Sequence, residues 1–374
     1  MKKFLLTTLL LGIVAASGFA QTVFTGKPMY QIVTKRAGNY LGTITVELFP
    51  AIAPLHTANF DSLVSTQFYD STAFHRVIPG FMIQGGDPNS RSGPRSTWGY
   101  GDPSQPTVNA EFTAARHLRG ILSAARDTSI NSANSQFFIC VAAASWLNNQ
   151  YSVYGRVISG MDIVDTIVSE PRDALDNPFQ KIEMFITYAG SNDTLATVPV
   201  PNLPANHSFA TSPTRLLRWD AQPDGIIYHV QVSTDSTFAT TYRSVDVGIN
   251  QYTVTGLAAG NKYYWRVRSN NGGDTSAFST VWDFSVSAVG MEDAAAVNPI
   301  RVMPNPGNGE FTFTGMPAQS TLSIFDIAGK EILRRTNSSG NTCLADLTQQ
   351  AKGVYFYSVM DEEGNQFRGK IVLE

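Results

Sequence analysis

After Gly190 the character of the chain changes. The stretch SNDTLATVPVPNLPAN, residues 191–206, is rich in Pro, Asn and Ser and interrupts the regular patterning on either side, as a linker running into a new domain does. This break limits what 374 residues can fold into more than any other feature, because each side must bury a core of its own. Disulfides do not relieve that demand: the only two cysteines, Cys140 in the apolar run FFIC and Cys343 far along the chain, read as buried free thiols. The expected units are 27–190, a linker over 191–199, a second domain over 200–287, a linker over 288–299 and a third domain over 300–374.

Within 27–190, strand and helix patterns are interleaved. Ile44, Val46 and Leu48 alternate as a half-buried strand, whereas Phe60, Leu63 and Val64 fall at helical spacing after Pro54, a favourable first-turn residue. Val164, Ile167 and Val168 repeat the helical spacing after Gly160. Both helices need a sheet to cover their apolar faces.

Residues 74–88 read FHRVIPGFMIQGGDP and set one arginine, Arg76, among apolar side chains. That combination suits an X-Pro peptide bond. Rotation about a peptide bond faces a barrier of ~18–20 kcal/mol because the nitrogen lone pair is delocalised into the carbonyl. In X-Pro the two isomers differ by only ~0.5–1 kcal/mol, so speed is what a catalyst changes. At the twisted transition state the nitrogen recovers its lone pair, and a fixed donor aimed at it stabilises that state over both ground states. Arginine is a permanently charged, planar fork of donors. Phe81 and Met82 are candidates for the wall that holds the ring. No nucleophile, metal or cofactor is required.

The run resembles the signature of cyclophilin peptidyl-prolyl cis-trans isomerases. The resemblance covers roughly 27–190, through GTITVELFPAIAPLHTANF upstream and GILSAAR, NSQFFICVAAASWL and YGRVISGMDIVDTI downstream, in the family's order. It implies an eight-stranded antiparallel barrel capped by two helices. It also implies Arg76 as the catalytic donor, Gln84 as its orienting partner, and Phe81, Met82, Phe138 and Leu147 as the proline pocket. Phe74 and His75 would flank the site, while Ala125, Arg126 and Gln136 would line the groove for residues before proline. Trp146 holds the position associated with contact to the cyclic peptide cyclosporin, an expected ligand. Arg126 stands where eukaryotic members carry Asn, and Tyr151 where His often closes the pocket, so substrate preference and pocket shape are expected to shift. The segment Ser123 to Ser135 is one residue longer than in the compact eukaryotic form.

Other chemistries find no support. His56 and His117 lack metal-ligand spacing, Asp87 in GGDP reads as a turn residue, and His75 reads as structural because isomerisation transfers no proton. There is no nucleophile elbow, phosphate loop or dinucleotide fingerprint, and no basic stripe for nucleic acid.

The opening MKKFLLTTLLLGIVAASGFA has two lysines, a short apolar core and small residues ending at Ala20, which is the pattern of a secretory signal peptide cut before Gln21. Losing Lys2 and Lys3 leaves a mildly acidic chain. No other segment is long and apolar enough to span a bilayer.

From 200 to 287 short strands recur between turns: Leu216 to Trp219, IIYHVQVS, QYTVTGL, KYYWRVRS and VWDFSV. This rhythm argues for a β-sandwich. The segment resembles a fibronectin type III domain, with Trp219 in the core, Tyr228, Val230 and Val232 alternating on one strand, Leu257 six residues before Tyr263 at the tyrosine corner, and Trp265 and Val267 facing inward. The final segment, with RVMPNPGNGEF, LSIFDIAGKEILR, DLTQQAKGVYFYSV and KIVLE, resembles the C-terminal sorting domain of type IX secretion substrates, a further β-sandwich. Export by the signal peptide, followed by release or outer-membrane attachment through the type IX machinery, is therefore expected. The last two units are expected to turn freely about their linkers. Two classes of function follow: an exported isomerase acting on proline-containing clients, or a surface module that binds proline peptides with little turnover.

Overall fold

The computed structural model describes residues 24–287, 300–338, 340–362 and 366–374; the expected signal peptide and the 288–299 linker lie outside them. These residues form two compact units, 24–287 and 300–374. No helix among them is long and apolar enough to cross a membrane.

The first unit begins with a closed barrel. Its strands are β1 (Lys27–Arg36), β2 (Asn39–Leu48), β3 (Thr72–Ile78), β4 (Met82–Asp87), β5 (Ile121–Ala124), β6 (Phe137–Cys140), β7 (Val153–Ser159) and β8 (Ile182–Asn192). They pair antiparallel in the order β1-β2-β7-β5-β6-β4-β3-β8, and β8 closes on β1. Ile44, Val46 and Leu48 point inward with no exposed surface, as their alternation demands. Helix α1 (Pro54–Ser65) buries Phe60 and Val64, and Leu63 packs against the same core. Its first turn carries no side-chain cap of its own. Glu111 supplies one from a distant loop, accepting from Leu55 N at 2.9 Å, from His56 N at 3.0 Å and lying 2.7 Å from His56 Nδ1. Helix α3 (Met161–Val168) follows Gly160, whose φ is +87°, and buries Val164, Ile167 and Val168. Between them lies one short helical turn, α2 (Asn89–Ser92), which the sequence pattern did not indicate.

The rest of the first unit is a sandwich built from β9 (Pro201–Leu203), β10 (Ser208–Ala210), β11 (Thr214–Trp219), β12 (Ile227–Ser233), β13 (Arg243–Val247), β14 (Gln251–Thr255), β15 (Lys262–Asn270) and β16 (Trp282–Val286). A five-stranded sheet, β10-β16-β15-β12-β13, faces a three-stranded one, β14-β11-β9. Trp219, Val230, Tyr263, Trp265 and Val267 fill the space between them.

The sandwich is not free to turn against the barrel. Strand β8 runs on to Asn192. Beyond it, Asn271 Nδ2 donates to Thr194 O at 2.8 Å and Ser269 Oγ to Thr197 O at 2.6 Å, so the expected linker is pinned along the sandwich. Phe49, Ile52, Ala115, Ile121 and Val153 of the barrel share an apolar cluster with Ile227 of the sandwich. The run of turn formers lies between β8 and β9, and composition carried no information about these contacts.

The second unit packs β17 (Arg301–Met303), β18 (Glu310–Met316) and β21 (Asn341–Asp346) against β19 (Ser320–Phe325), β20 (Glu331–Asn337), β22 (Gly353–Met360) and β23 (Gln366–Leu373). Phe311, Phe313, Leu322, Ile324 and Ile371 lie in its core. Both cysteines are free thiols; Cys140 is buried, but Cys343 is only half-buried, contrary to the expectation for it.

Candidate active site

Alternate residues of the barrel strands face opposite ways. Val77, Ile83, Ile139 and Leu122 enter the core. Their neighbours Arg76, Gln84, Phe138 and Ser123 pair in register across β3, β4, β6 and β5, which puts them in one row on the outer wall. Ile78, Met82 and Cys140 form the next row.

Two irregularities aim the arginine. Phe74 pairs with Gly85 and Arg76 with Gln84, so His75 is the extra residue of a bulge. On the facing strand Gly86 is extra; its φ is +86° and a Cβ there would lie 2.6 Å from Ser135 O, so only glycine fits. The hairpin between the strands is the turn Ile78-Pro79-Gly80-Phe81, closed by Phe81 N donating to Ile78 O at 3.0 Å, with Gly80 at φ +75°. Pro followed by Gly is what such a turn requires.

Met82, Phe138, Cys140, Ala144 and Leu147 form an apolar cluster separate from the barrel core, with Ile78, Phe81, Ala125 and Tyr151 half-buried around it. The rings of Phe81 and Phe138 lie 6.5 Å apart, and Tyr151 meets Phe138 edge-on at 5.9 Å. Trp146 stands at the rim, 58% exposed, 5.5 Å from Phe81. The structure thus gathers Phe81, Met82, Ala125, Phe138, Trp146, Leu147 and Tyr151 in and around one apolar cluster. Gln84 Nε2 donates to Gln136 Oε1 at 3.0 Å, and Gln136 Nε2 to Gly99 O at 3.1 Å, which lines the groove with fixed amides. The Arg126 guanidinium carbon lies over the Tyr151 ring, 4.4 Å from its centroid, and the side chain donates to Asp127 O and Gln150 O.

Two expected flanking residues are placed elsewhere. Phe74 is fully buried in the barrel core, edge-on to Phe137 at 6.1 Å, because the bulge turns it inward. His75 is also buried, beside Gly99, and is outside the apolar cluster. Burial pushes its pKa down to about 4, Arg76 adds to this and Asp87 opposes it. Asp87 itself is buried and accepts from Asn89 N at 3.0 Å and from Gly99 N, which holds the following loop in place. Burial raises the Cys140 thiol to about 12, so it behaves as an apolar floor.

Three neighbours were not assigned to the site from sequence. Asp176 Oδ2 lies 3.8 Å from Arg76 Nε, and Val77 N donates to Asp176 O at 2.9 Å. Ala144 sits in the floor. His117 stacks on Phe138, with centroids 6.0 Å apart and planes 15° from parallel. None carried a signal in sequence, since each reaches the site through a loop.

Arg76 thus stands in one cross-strand row with Gln84 and Phe138, next to an apolar cluster separate from the barrel core. The model of the cyclophilin type peptidyl-prolyl cis-trans isomerases matches residues 30–188, and that of the secretion system C-terminal sorting domain matches residues 301–374. A solved cyclophilin type isomerase of Cryptosporidium parvum is 29% identical, covering 44% of this chain and 99% of that one with a TM-score of 0.39. A probable peptidyl-prolyl cis-trans isomerase of Brucella suis is 40% identical over 154 residues, 40% of this chain and 77% of the relative. A peptidyl-prolyl cis-trans isomerase of Acinetobacter baylyi is 42% identical over 136 residues, 35% of this chain and 69% of the relative. The chain belongs to the cyclophilin-type peptidyl-prolyl cis-trans isomerases. Its last unit is a type IX secretion sorting domain, which points to secretion with outer-membrane or surface attachment.

Proposed function

We propose that this isomerase works outside the inner membrane, accelerating exchange of X-Pro bonds in extracytoplasmic proteins and so assisting their folding. The proline ring rests in the hollow of Phe81, Met82, Phe138 and Leu147. Arg76 donates to the imide nitrogen as it pyramidalises, and Gln84 sets the guanidinium from the facing strand. Residues before proline lie along Ala125, Arg126 and Gln136, and Trp146 with Tyr151 closes the rim. One observation carries this reading: Arg76, Gln84 and Phe138 occupy a single cross-strand row beside an apolar cluster separate from the barrel core, edged by half-buried Phe81, Ala125 and Tyr151 and exposed Trp146. A 10⁴-fold acceleration needs about 5.5 kcal/mol, within reach of a desolvated charged donor plus a fitted pocket.

The signal peptide over residues 1–20 starts export and the 300–374 unit completes it. The sandwich is read as fibronectin type III-like, supported by Ala258 N donating to Tyr263 Oη at 2.9 Å, the hydrogen bond of a tyrosine corner. The decisive experiment follows exchange in a short X-Pro peptide with Arg76→Ala as control; equal rates for the two would leave only a proline-peptide binder. Mass spectrometry of the external protein tests export, and a retained Met1 on it would count against the signal peptide.

A further inference from the structure

The sandwich touches the barrel at the segment that leads into the hollow. The turn between β13 and β14 packs so closely there that a Cβ on Gly248 would lie 2.2 Å from Ala114 O and 2.7 Å from Arg116 Cγ. Ala115 is buried in the cluster it shares with Ile227. Residues 114–116 are thus held by the sandwich on their turn side and by an apolar contact.

The next residue is His117. Beyond its stacking on Phe138, its ring lies 3.1 Å from Ser123 Oγ and 3.2 Å from Asn148 Oδ1. Its backbone N donates to Asn148 Oδ1 at 2.9 Å, and its carbonyl accepts from Ala144 N at 2.8 Å. His117 therefore fixes one wall of the hollow by ring contact and the turn bearing Leu147 by hydrogen bonds. Close-packed groups of this kind have little room to yield, so a shift at 114–116 passes to Phe138 and Leu147.

We propose that the sandwich is a positioning element of the isomerase: by holding residues 114–116 it sets His117, and through His117 the angle and depth of the wall formed by Phe138 and Leu147. This rests on the reading of those two residues as the proline wall. It gives the middle domain a role in turnover beyond that of a spacer.

The test uses the full chain and X-Pro exchange. Gly248→Ala forces the turn off Ala114 and is expected to lower kcat/KM about tenfold, since displacements of about 1 Å at remote supports have such effects. Val254→Ala, which loosens the sandwich core away from this contact, is expected to leave kcat/KM unchanged. With His117→Ala already present, adding Gly248→Ala is expected to change the rate less than about twofold, because the link is cut. A silent Gly248→Ala, a Val254→Ala as damaging as Gly248→Ala, or a full tenfold loss persisting without His117 overturns the proposal. If Gly248→Ala does not fold, Ile227→Ala, which removes packing from Ala115, serves with the same expected pattern. Phe138→Ala tests the wall separately: full turnover there would sink the wall, whereas a crippled Phe138→Ala beside a silent Gly248→Ala sinks the coupling alone.

Discussion

The two faces of the same barrel strands have opposite fates. On β3, β4 and β6 the inward residues Val77, Ile83, Phe137 and Ile139 are sealed, with no exposed surface. The outward residues Met82, Phe138 and Cys140 join Leu147 and half-buried Phe81, which neighbouring turns supply, in a second apolar cluster on the outer wall, on the same sheet face as the Arg76 row. Strand alternation usually puts polar groups outside. The inner set is closed over on every side, whereas the outer set is bordered by half-buried Phe81, Ala125 and Tyr151 and by exposed Trp146, the edge at which a ligand would meet it.

If that division holds, the largest single effect comes from the inner face and is purely one of stability. Phe137 meets Phe60 and Tyr69 at 5.7 Å each and Phe74 at 6.1 Å. Phe137→Ala should destabilise the barrel by about 3–5 kcal/mol, read from its unfolding transition in denaturant, while the folded fraction keeps its rate. Arg76→Ala should do the reverse. Loss of the proposed transition-state donor should lower kcat/KM by about 10²–10³-fold. Its side chain is 44% exposed, so stability should move by less than about 0.5 kcal/mol. An Arg76→Ala protein that unfolds early, or a Phe137→Ala protein that stays stable, breaks the contrast.

Sequence made much of this legible, and unevenly. Periodicity placed β2, α1 and α3 because their inward residues recur at the strand or helix period, and the five sandwich strands named from sequence were found for the same reason. The outer face was legible through motif resemblance alone, since Phe81 or Phe138 in isolation looks like any core residue. Phe74 came with the motif as a flanking residue; the bulge at His75 reverses the alternation locally and turns it into the core. His117 and Asp176 were missed because loops bring them in from distant parts of the chain. The rigid seating of the sandwich was hidden for a similar reason: Gly248 and Gly272 look like ordinary turn residues, yet a Cβ on Gly272 would meet the Phe49 ring at 2.3 Å.

A pH experiment sharpens the contrast further, because His75 sits next to Arg76 on β3 yet is buried. Its pKa in the fold is about 4, below the ordinary imidazole value of 6.5. The unfolded chain therefore binds more protons between those values, and stability rises with pH across the window. The contribution is complete above about 6.5 and is lost as pH falls toward 4. Denaturation midpoints measured at neutral pH and near pH 4.5 should differ more for the native chain than for His75→Gln. Equal differences would mean that the ring is hydrated in solution, and that the outer hollow reaches further into the wall than its lining residues indicate.

The smallest effect concerns Asp176, where the outer wall meets water. Its Oδ2 is 3.8 Å from Arg76 Nε, and the two side chains are 31% and 44% exposed, so their attraction is worth no more than about 1 kcal/mol. If Arg76 donates to the substrate nitrogen as proposed, the carboxylate competes with it for the same guanidinium. Asp176→Asn should therefore raise kcat/KM about twofold in dilute buffer, and the gain should vanish as salt screens the pair in the native enzyme. The loop should survive the change, since Val77 N donates to the backbone carbonyl of Asp176 at 2.9 Å, a bond the substitution leaves intact. A loss in place of a gain would show that the carboxylate holds Arg76 in its working position, and the outer row would then depend on a charge that no core residue needs.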